Sequence, residues 1–228
     1  MKTRSDMLPS PTLNRRSWLK LAAALPLALP AVSWKASPAR ADGTEIVGTV
    51  SKLTGNAVAM QNAIPRPLAK GQVIQEGDVL STGPGSKIEV AMIDGGVLQL
   101  GEGAIFIVME YVYGATKENK AIMRLMEGAF AVTSGKIKEL ASNEVRVETE
   151  FATIGIRGTT VWGGVLSDTF EVALIEGTAV DVTTRAGTVL LDKVGTGTAL
   201  PSLDEAPESP VDWGPEKIAQ ATATVRQP

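Results

Sequence analysis

The stretch Ser86–Met92 reads SKIEVAM and alternates polar with apolar side chains along its length. Its charged members, Lys87 and Glu89, fall on one side of an extended chain and its large apolar members on the other, because successive side chains of a strand point to opposite faces. Val145–Glu148 and Phe170–Leu174 repeat the same period. These segments are therefore predicted to be strands with one buried face.

Glycine turns such as Gly83-Pro84-Gly85 and Asp94-Gly95-Gly96 separate the alternating segments. Their spacing leaves room for about a dozen strands of five to seven residues, a pattern typical of sandwiches, barrels and solenoids. A weak echo between residues 126–133 and 175–183 favours the solenoid. We therefore predict an all-β fold over residues 42–200, a twisted β-solenoid-like or sandwich arrangement with little helix.

The composition excludes several kinds of chemistry. The chain has 228 residues and contains neither cysteine nor histidine. Disulfides, thiolate nucleophiles, imidazole bases, Ser-His-Asp triads and the usual zinc or haem sites are therefore ruled out. Only carboxylate, lysine, tyrosine or hydroxyl chemistry remains, and we predict no catalytic, cofactor-binding or metal-binding residues.

Residues 1–41 have the layout of an export signal. A basic start with Arg15-Arg16 leads into the run Leu19–Val32, which is apolar apart from Lys20, and the segment closes on the small-x-small site Ala39-Arg40-Ala41. The paired arginines, followed by SWLK, resemble a twin-arginine (Tat) signal. We predict cleavage after Ala41 and a periplasmic location in a Gram-negative bacterium. An uncleaved anchor is the alternative, although the apolar run is short for a membrane span and contains two prolines.

Removing the signal changes the charge. Seven of the 22 Lys/Arg and one of the 25 Asp/Glu lie in residues 1–41, so the remaining 187 residues carry a formal charge of −9. Such a chain lacks the basic surface that nucleic-acid binding requires, and no later segment is apolar for long enough to span a membrane. The acidic, proline-containing terminus 201–228 is predicted to be disordered, apart from a short helical turn around Pro215–Ala221.

Three stretches resemble the FecR domain, a β-rich periplasmic module best known from bacterial iron-transport signalling. Pro67–Gly83 resembles the family's Leu-x-x-Gly, Gly-Asp and Thr-Gly run, and Ile93–Gly101 resembles its Asp-Gly turn. Val147–Thr159 is similar to the run into the family's Arg-Gly-Thr signature, with Glu150-Phe151 where Pro-Val is commoner. The resemblance extends over about residues 46–184.

The resemblance implies a twisted β-solenoid-like fold. In the iron-transport regulators this domain follows a cytoplasmic anti-sigma segment and a membrane helix, and precedes a small α/β domain that meets the outer-membrane transporter. We expect this chain to be a stand-alone exported form without those parts, so the anti-sigma role is not carried over.

The signature residues Gly155, Arg157, Gly158 and Thr159 have two interpretations. Arg157 could bind an anion or a partner carboxylate. The interpretation we favour is structural: the glycines permit a tight corner, and the guanidinium ties carbonyls or an acidic residue of adjacent strands. Glu148 and Glu150 could act as an acidic pair, but a solvated strand face is favoured.

Three aromatic residues, Tyr111, Tyr113 and Trp162, form a candidate interaction surface, although burial in the core is the usual fate of such residues. Our leading hypothesis is a non-enzymatic module for protein–protein interaction or envelope signalling, with an unpaired strand edge as the natural docking route. The runner-up is a cell-wall glycan or carbohydrate-binding protein that stacks sugars on these aromatic rings. A hydrolase that uses paired carboxylates is the least favoured alternative.

Overall fold

The computed structural model describes residues 45–114, 118–139 and 143–227. Over these residues the chain has sixteen strands, a 3-10 turn at Lys136–Glu139 and one α-helix, α1, at Pro215–Val225. The strands are β1 Ile46–Thr54, β2 Ala57–Gln61, β3 Ile64–Pro67, β4 Val73–Gln75, β5 Val79–Thr82, β6 Lys87–Met92, β7 Val97–Leu100, β8 Ile105–Val112, β9 Asn119–Glu127, β10 Phe130–Thr133, β11 Asn143–Glu148, β12 Thr153–Val165, β13 Phe170–Thr183, β14 Thr188–Leu191, β15 Thr196–Leu200 and β16 Val211–Asp212.

The all-β class predicted from the alternation is confirmed. The strand count exceeds the predicted dozen because several strands have only two to four residues, which is too few for a period of two to be recognised. The predicted export signal, residues 1–41, lies outside the described residues.

All sixteen strands belong to one curled, hydrogen-bonded sheet. Twelve follow the order β3-β2-β5-β8-β9-β11-β12-β10-β7-β6-β1-β4, and β13 branches from β12 to pair with β14 and β15, the latter followed by β16. The pairs are antiparallel except for β9 with β11. Where antiparallel neighbours are consecutive in the chain, as β6 and β7 are, a tight turn such as Asp94-Gly95-Gly96 is enough to connect them.

One face of the sheet encloses the main core. On β6 the apolar side chains Ile88, Val90 and Met92 are buried, as the alternation of SKIEVAM predicts. Phe106 of β8 and Phe130 of β10 meet at the centre with their ring centroids 6.1 Å apart. Burying each apolar side chain of this size contributes about 1.5–3 kcal/mol, so this face dominates the stability of the domain.

A buried ion pair links β3 and β4, the two ends of the twelve-strand path. From β3, Arg66 donates one hydrogen bond to the carbonyl of Val73 on β4 at 2.7 Å and another to Oδ2 of Asp78 at 2.6 Å. The same carboxylate oxygen accepts the backbone N–H of Gln75 at 2.8 Å. The Gly-Asp motif thus supplies the carboxylate that holds the ends together.

The prediction of a disordered terminus at 201–228 is wrong for residues 201–227. This segment forms β16 and α1, and α1 starts at Pro215, where the short turn was expected. Trp213, Ala221 and Val225 pack on Trp162 in a second apolar cluster. An eleven-residue helix is marginal alone in water, so this packing stabilises it, and composition alone could not reveal the packing.

Candidate interaction site

The four signature residues lie together on β12, inside the long β12–β13 hairpin. Arg157 projects from the outer face, and its guanidinium lies 2.7 Å from a carboxylate oxygen of Asp181 on β13. The Arg157 side chain is 72% exposed. Thr159 is buried, and its backbone N–H donates to Oγ of Ser134 at 2.9 Å.

The glycines do not form the corner that we predicted. Gly158 lies within the strand, with φ of +69°, and Gly177 of β13, with φ of +104°, pairs with its neighbour Thr159. A Cβ on Gly177 would lie 2.4 Å from the Gly158 carbonyl oxygen. Because only glycine adopts such φ values without strain, both residues allow a local distortion of a continuous hairpin.

Gly155 has no such requirement. Its φ lies outside the left-handed region, and a Cβ there would find its nearest neighbour, Cβ of Asp181, at an ordinary 3.6 Å. Glycine weakens the interior of a strand and often marks a place where a ligand or another backbone approaches closely. Neither backbone geometry nor internal packing therefore explains glycine at this position.

An open groove of about 470 Å³ lies over Gly155 on the outer face of the sheet. Gly155 pairs with Arg146 of β11 on one side and with Asp181 of β13 on the other. Arg157 stands two residues further along β12, so two guanidinium groups flank the gap that the missing side chain leaves. The other side chains that line the groove are those of Glu144, Val145, Thr153, Ile156 and Thr183.

Ion pairs hold the β11 side of this groove. Arg146 contacts Glu144 and, at 3.3 Å, Glu148, while Arg124 reaches Glu148 at 2.5 Å. The hydrogen bond from Arg124 is the largest cause that lowers the pKa of Glu148; burial opposes it and Arg146 adds to the lowering. Glu148 is therefore held as a carboxylate, which is the wrong state for a general acid, while Glu150 is exposed.

Two of the three predicted aromatic residues cannot form a contact surface. Tyr111 is 3% exposed and Trp162 is 0% exposed. Tyr111 donates to Oδ1 of Asp94 at 2.6 Å, and its pKa is raised first by burial and then by that hydrogen bond. Trp162 donates to Oγ1 of Thr224 on α1 at 3.0 Å. Tyr113 is half-buried against the main core.

The aromatic prediction is therefore corrected for Tyr111 and Trp162. Their apolar rings are buried in cores, and their polar atoms are satisfied inside the protein, as is usual for buried Tyr and Trp. Stacking on a sugar requires an accessible ring face, so these two residues give no support to the glycan-binding alternative.

The edge at β3 is closed. Asn62-Ala63 forms a two-residue turn with positive φ at both positions, and Gln61 pairs with Ile64 across it. In this register Ile64 and Arg66 direct their backbone groups toward β2, whereas Pro65 and Pro67 face away from it. Proline has no N–H, so the outer side of β3 lacks those donors.

The outer side of β15 is covered by the protein itself. Val211 pairs with Gly197, the backbone N–H of Trp213 donates to Gly195 at 2.7 Å, and that of Glu208 donates to Ala199 at 3.0 Å. The segment that was expected to be disordered therefore occupies this edge.

The edge at β14 is open. Thr184 donates its backbone N–H to Gly187 at 2.9 Å across a two-residue turn, so the hydrogen-bonded pairs that follow are Val182 with Val189 and Val180 with Leu191. Thr188 and Leu190 then direct their N–H and C=O groups away from β13. Within the described residues no strand pairs with that side, and the Leu190 side chain is 48% exposed.

The groove and the open edge lie on neighbouring strands. Leu190 of β14 pairs with Asp181 of β13, which contacts Arg157 of β12. Sequence reasoning identified Arg157 and Gly155 but missed the β14 edge. The run TVLL at residues 188–191, bounded by Gly187 and Asp192, indicates a strand, but nothing in the sequence tells which strand stays unpaired.

Neither a metal site nor a membrane-spanning helix is found among the described residues. They contain no group of three or more Asp or Glu side chains placed to hold a metal ion. The helix within 45–114, 118–139 and 143–227 falls short of the length and apolar character needed to cross a membrane.

Comparison with protein families gives a match. The model of the family described as FecR protein matches residues 78–180, which include β5 to β12 and most of β13. The Arg-Gly-Thr signature falls inside the matched range, and β14 falls just after it. A comparison with curated proteins found no match.

Among solved structures, two crystal structures of a candidate anti-sigma factor from Parabacteroides distasonis, at 1.65 and 2.50 Å resolution, are similar to this chain. Each has 15% sequence identity and a TM-score of 0.49. The alignment covers 62% of this chain and 62% of the other, so the similarity extends over less than two thirds of that protein.

Proposed function

We propose that this protein is a non-enzymatic regulatory module that docks another envelope protein, and the match of residues 78–180 to the FecR protein family model supports this. FecR proteins have signalling and regulatory roles, which supports regulation in place of catalysis. In our proposal the incoming protein adds an extended segment to β14, and the state of that partner is transmitted through this contact.

The open edge of β14 is the observation that carries the proposal. In the part of the chain that the structure describes, no strand pairs with the outward main-chain donors and acceptors of Thr188 and Leu190, and an extended segment can satisfy them by joining the sheet. Proteins usually protect such edges with proline, charge or covering chain, because an exposed edge pairs with other strands. This chain protects β3 and β15 in those ways, and β14 has neither a proline nor a charged residue.

We further propose that the protein reaches the periplasm through the twin-arginine pathway. The layout of residues 1–41 supports this route, and envelope docking depends on it. Replacing Arg15 and Arg16 by lysine keeps the charge of the signal but removes the paired arginines. We expect this variant to stay in the cytoplasm with its leader attached, as measured by cell fractionation and intact mass. Normal periplasmic recovery would contradict the twin-arginine route.

Site-specific crosslinking tests the docking proposal. A photocrosslinking amino acid at position 188 should yield one dominant crosslinked protein in intact cells. Leu190→Pro should abolish that product, because proline removes the N–H that faces an added strand while leaving the pairing with β13 intact. Leu190→Val is the matched control, since it keeps the N–H and an apolar side chain suited to a strand, and it should retain the product.

Two results would overturn the proposal. One is a crosslinked product that persists unchanged in Leu190→Pro, and the other is the absence of any product above background in the wild-type protein. Circular dichroism of each variant before the experiment establishes that a lost product reflects the edge and not unfolding.

A further inference from the structure

We propose that the groove over Gly155 binds a carboxylate side chain of the docking protein, held between the guanidinium groups of Arg157 and Arg146. This inference rests on the proposed function, since it names the chemistry by which the partner would be recognised on the sheet face next to the β14 edge. Its occupant is an aspartate or glutamate on a partner polypeptide.

Gly155 leaves space on the sheet face that its backbone geometry does not require. The neighbouring signature glycine, Gly158, needs its positive φ, but Gly155 has ordinary backbone geometry and room for a Cβ. A β-branched residue would favour the strand more strongly at such a position. Glycine here leaves the floor of the groove as bare backbone, and a side chain from outside can reach it.

The guanidinium of Arg157 is exposed and can accept a further partner. Its only ion pair among the described residues is with Asp181, and the guanidinium is 72% exposed. An exposed pair of this kind contributes little free energy because water screens it. A guanidinium has five N–H donors, so Arg157 can bind an incoming carboxylate beside Asp181 at little cost.

The charge balance of the groove selects the class of anion. Two arginines and two carboxylates, Glu144 and Asp181, line it, and Glu148 lies behind Arg146 at 3.3 Å. These acidic groups repel a phosphate dianion more strongly than a singly charged carboxylate, and a carboxylate can take two parallel hydrogen bonds from one guanidinium. The groove therefore fits an acidic side chain better than a phosphorylated one.

Nuclear magnetic resonance titration of the ¹⁵N-labelled protein tests the inference with a defined probe. The probe is N-acetyl-glutamate N-methylamide, and the neutral control is the glutamine analogue. We expect the glutamate probe to shift the Gly155 amide and the Arg157 Nε–H in a saturable manner, and the glutamine probe to leave them unchanged. Equal shifts with both probes, or none at these two groups, would overturn the proposal.

Three variants separate binding from folding. Arg157→Gln should weaken the apparent affinity for the glutamate probe by about tenfold, as expected for loss of a charge-assisted hydrogen bond. Gly155→Val should fill the groove and abolish the shift at Arg157 without lowering the melting temperature. Thr178→Val is the matched control, since Thr178 is exposed on β13 and lies outside the groove lining, and it should bind the probe normally. A lower melting temperature for Gly155→Val would show that this glycine has a structural role and would contradict the inference.

The two proposals can fail separately. A negative titration together with a Leu190-dependent crosslink removes the carboxylate site and leaves the docking function. A positive titration without any crosslink removes the docking function and leaves a carboxylate site on the sheet. In intact cells, Gly155→Val should reduce the crosslink from position 188, and an undiminished product would show that the groove takes no part in recognising the partner.

Discussion

The strands β3 and β14 both lie at edges of the same sheet, but their outward-facing backbone groups differ. Those of β3 are protected and those of β14 are not. At β3 the outward positions are Pro65 and Pro67, and Arg66 ties the strand to β4 and to buried Asp78. At β14 the outward positions are Thr188 and Leu190, and no strand among the described residues pairs with their donors and acceptors. Both strands are four residues long, so length does not explain the difference.

This contrast teaches that edge protection is local in this protein. Prolines remove the outward N–H donors of β3, and the C-terminal segment pairs with β15. Neither kind of protection is present at β14. An unprotected edge carries a risk of unwanted association. Its presence beside two protected edges is the basis on which we propose that a strand arrives from another protein.

The largest effect is expected for Arg66→Ala, which attacks the closed edge. Its loss leaves the fully buried carboxylate of Asp78 without its cation, and breaking a buried pair costs about 3–5 kcal/mol; because Arg66 is partly exposed, we expect the lower end of that range. Arg185→Ala, which breaks the exposed pair with Asp204 next to β14, is the matched control and should cost under about 1 kcal/mol. Urea unfolding measures both, and equal losses would contradict the contrast.

Proline scanning along β14 tests which of its backbone groups are used inside the protein. Val189→Pro removes a donor to Val182 and should cost about 1–3 kcal/mol, the penalty for leaving a buried acceptor unsatisfied. Leu190→Pro removes an outward donor and should cost under about 1 kcal/mol by the same reasoning. Thermal unfolding of the two variants measures the difference, and a reversed order would show that the register assigned to β14 is wrong.

Acid should weaken the β11 side of the groove by protonating Glu148. The pKa of Glu148 is lowered in the folded protein by Arg124, so its ion pairs stabilise the fold above the ordinary value of 4.5 and lose that effect as pH falls through the lower folded value. Glu148→Gln should remove this part of the pH dependence and cost about 0.2–1 kcal/mol at neutral pH, because solvent still reaches and screens these partly exposed ion pairs. Unfolding free energies between pH 3 and 7 test it; an unchanged slope in Glu148→Gln would count against the assignment.

The smallest effect on stability is expected when the closed edge is opened. Replacing Pro65 and Pro67 by valine restores outward N–H groups without disturbing the pairing with β2, so the unfolding free energy should change by under about 1 kcal/mol. The association state should change instead, because an exposed edge is a template for pairing. Light scattering after size-exclusion chromatography measures this, and a variant as monodisperse as the wild type at high concentration would show that the prolines do not protect the edge.

Much of the fold was readable from the sequence because burial on one face imposes a period of two. SKIEVAM predicted β6 and its buried side correctly, and the glycine turns predicted breaks between short strands. The prediction of a disordered terminus was wrong because its composition is polar, while its few apolar side chains, Trp213 among them, find a complementary surface only in the folded protein.

Only part of the candidate site could be predicted from the sequence. Gly155 and Arg157 were identified from the Arg-Gly-Thr resemblance, but the different roles of Gly155 and Gly158 required φ angles and neighbour distances. The prediction that Tyr111 and Trp162 lie on the surface was wrong because the sequence does not tell on which face of the sheet an aromatic side chain is buried. Tyr111 and Trp162 serve the interior, and the surface near Arg157 is made of charges and bare backbone.

The sequence by itself determined the class of this protein: an all-β domain without cysteine or histidine chemistry, a resemblance to FecR proteins, and the faces of its longer strands. These features are local, since each depends on residues close together along the chain. The tertiary structure alone decided which strand has an open outer edge and which glycine forms the floor of a groove. Those properties depend on contacts between distant segments, such as the pairing of β15 with β16 and of Gly155 with Arg146 and Asp181.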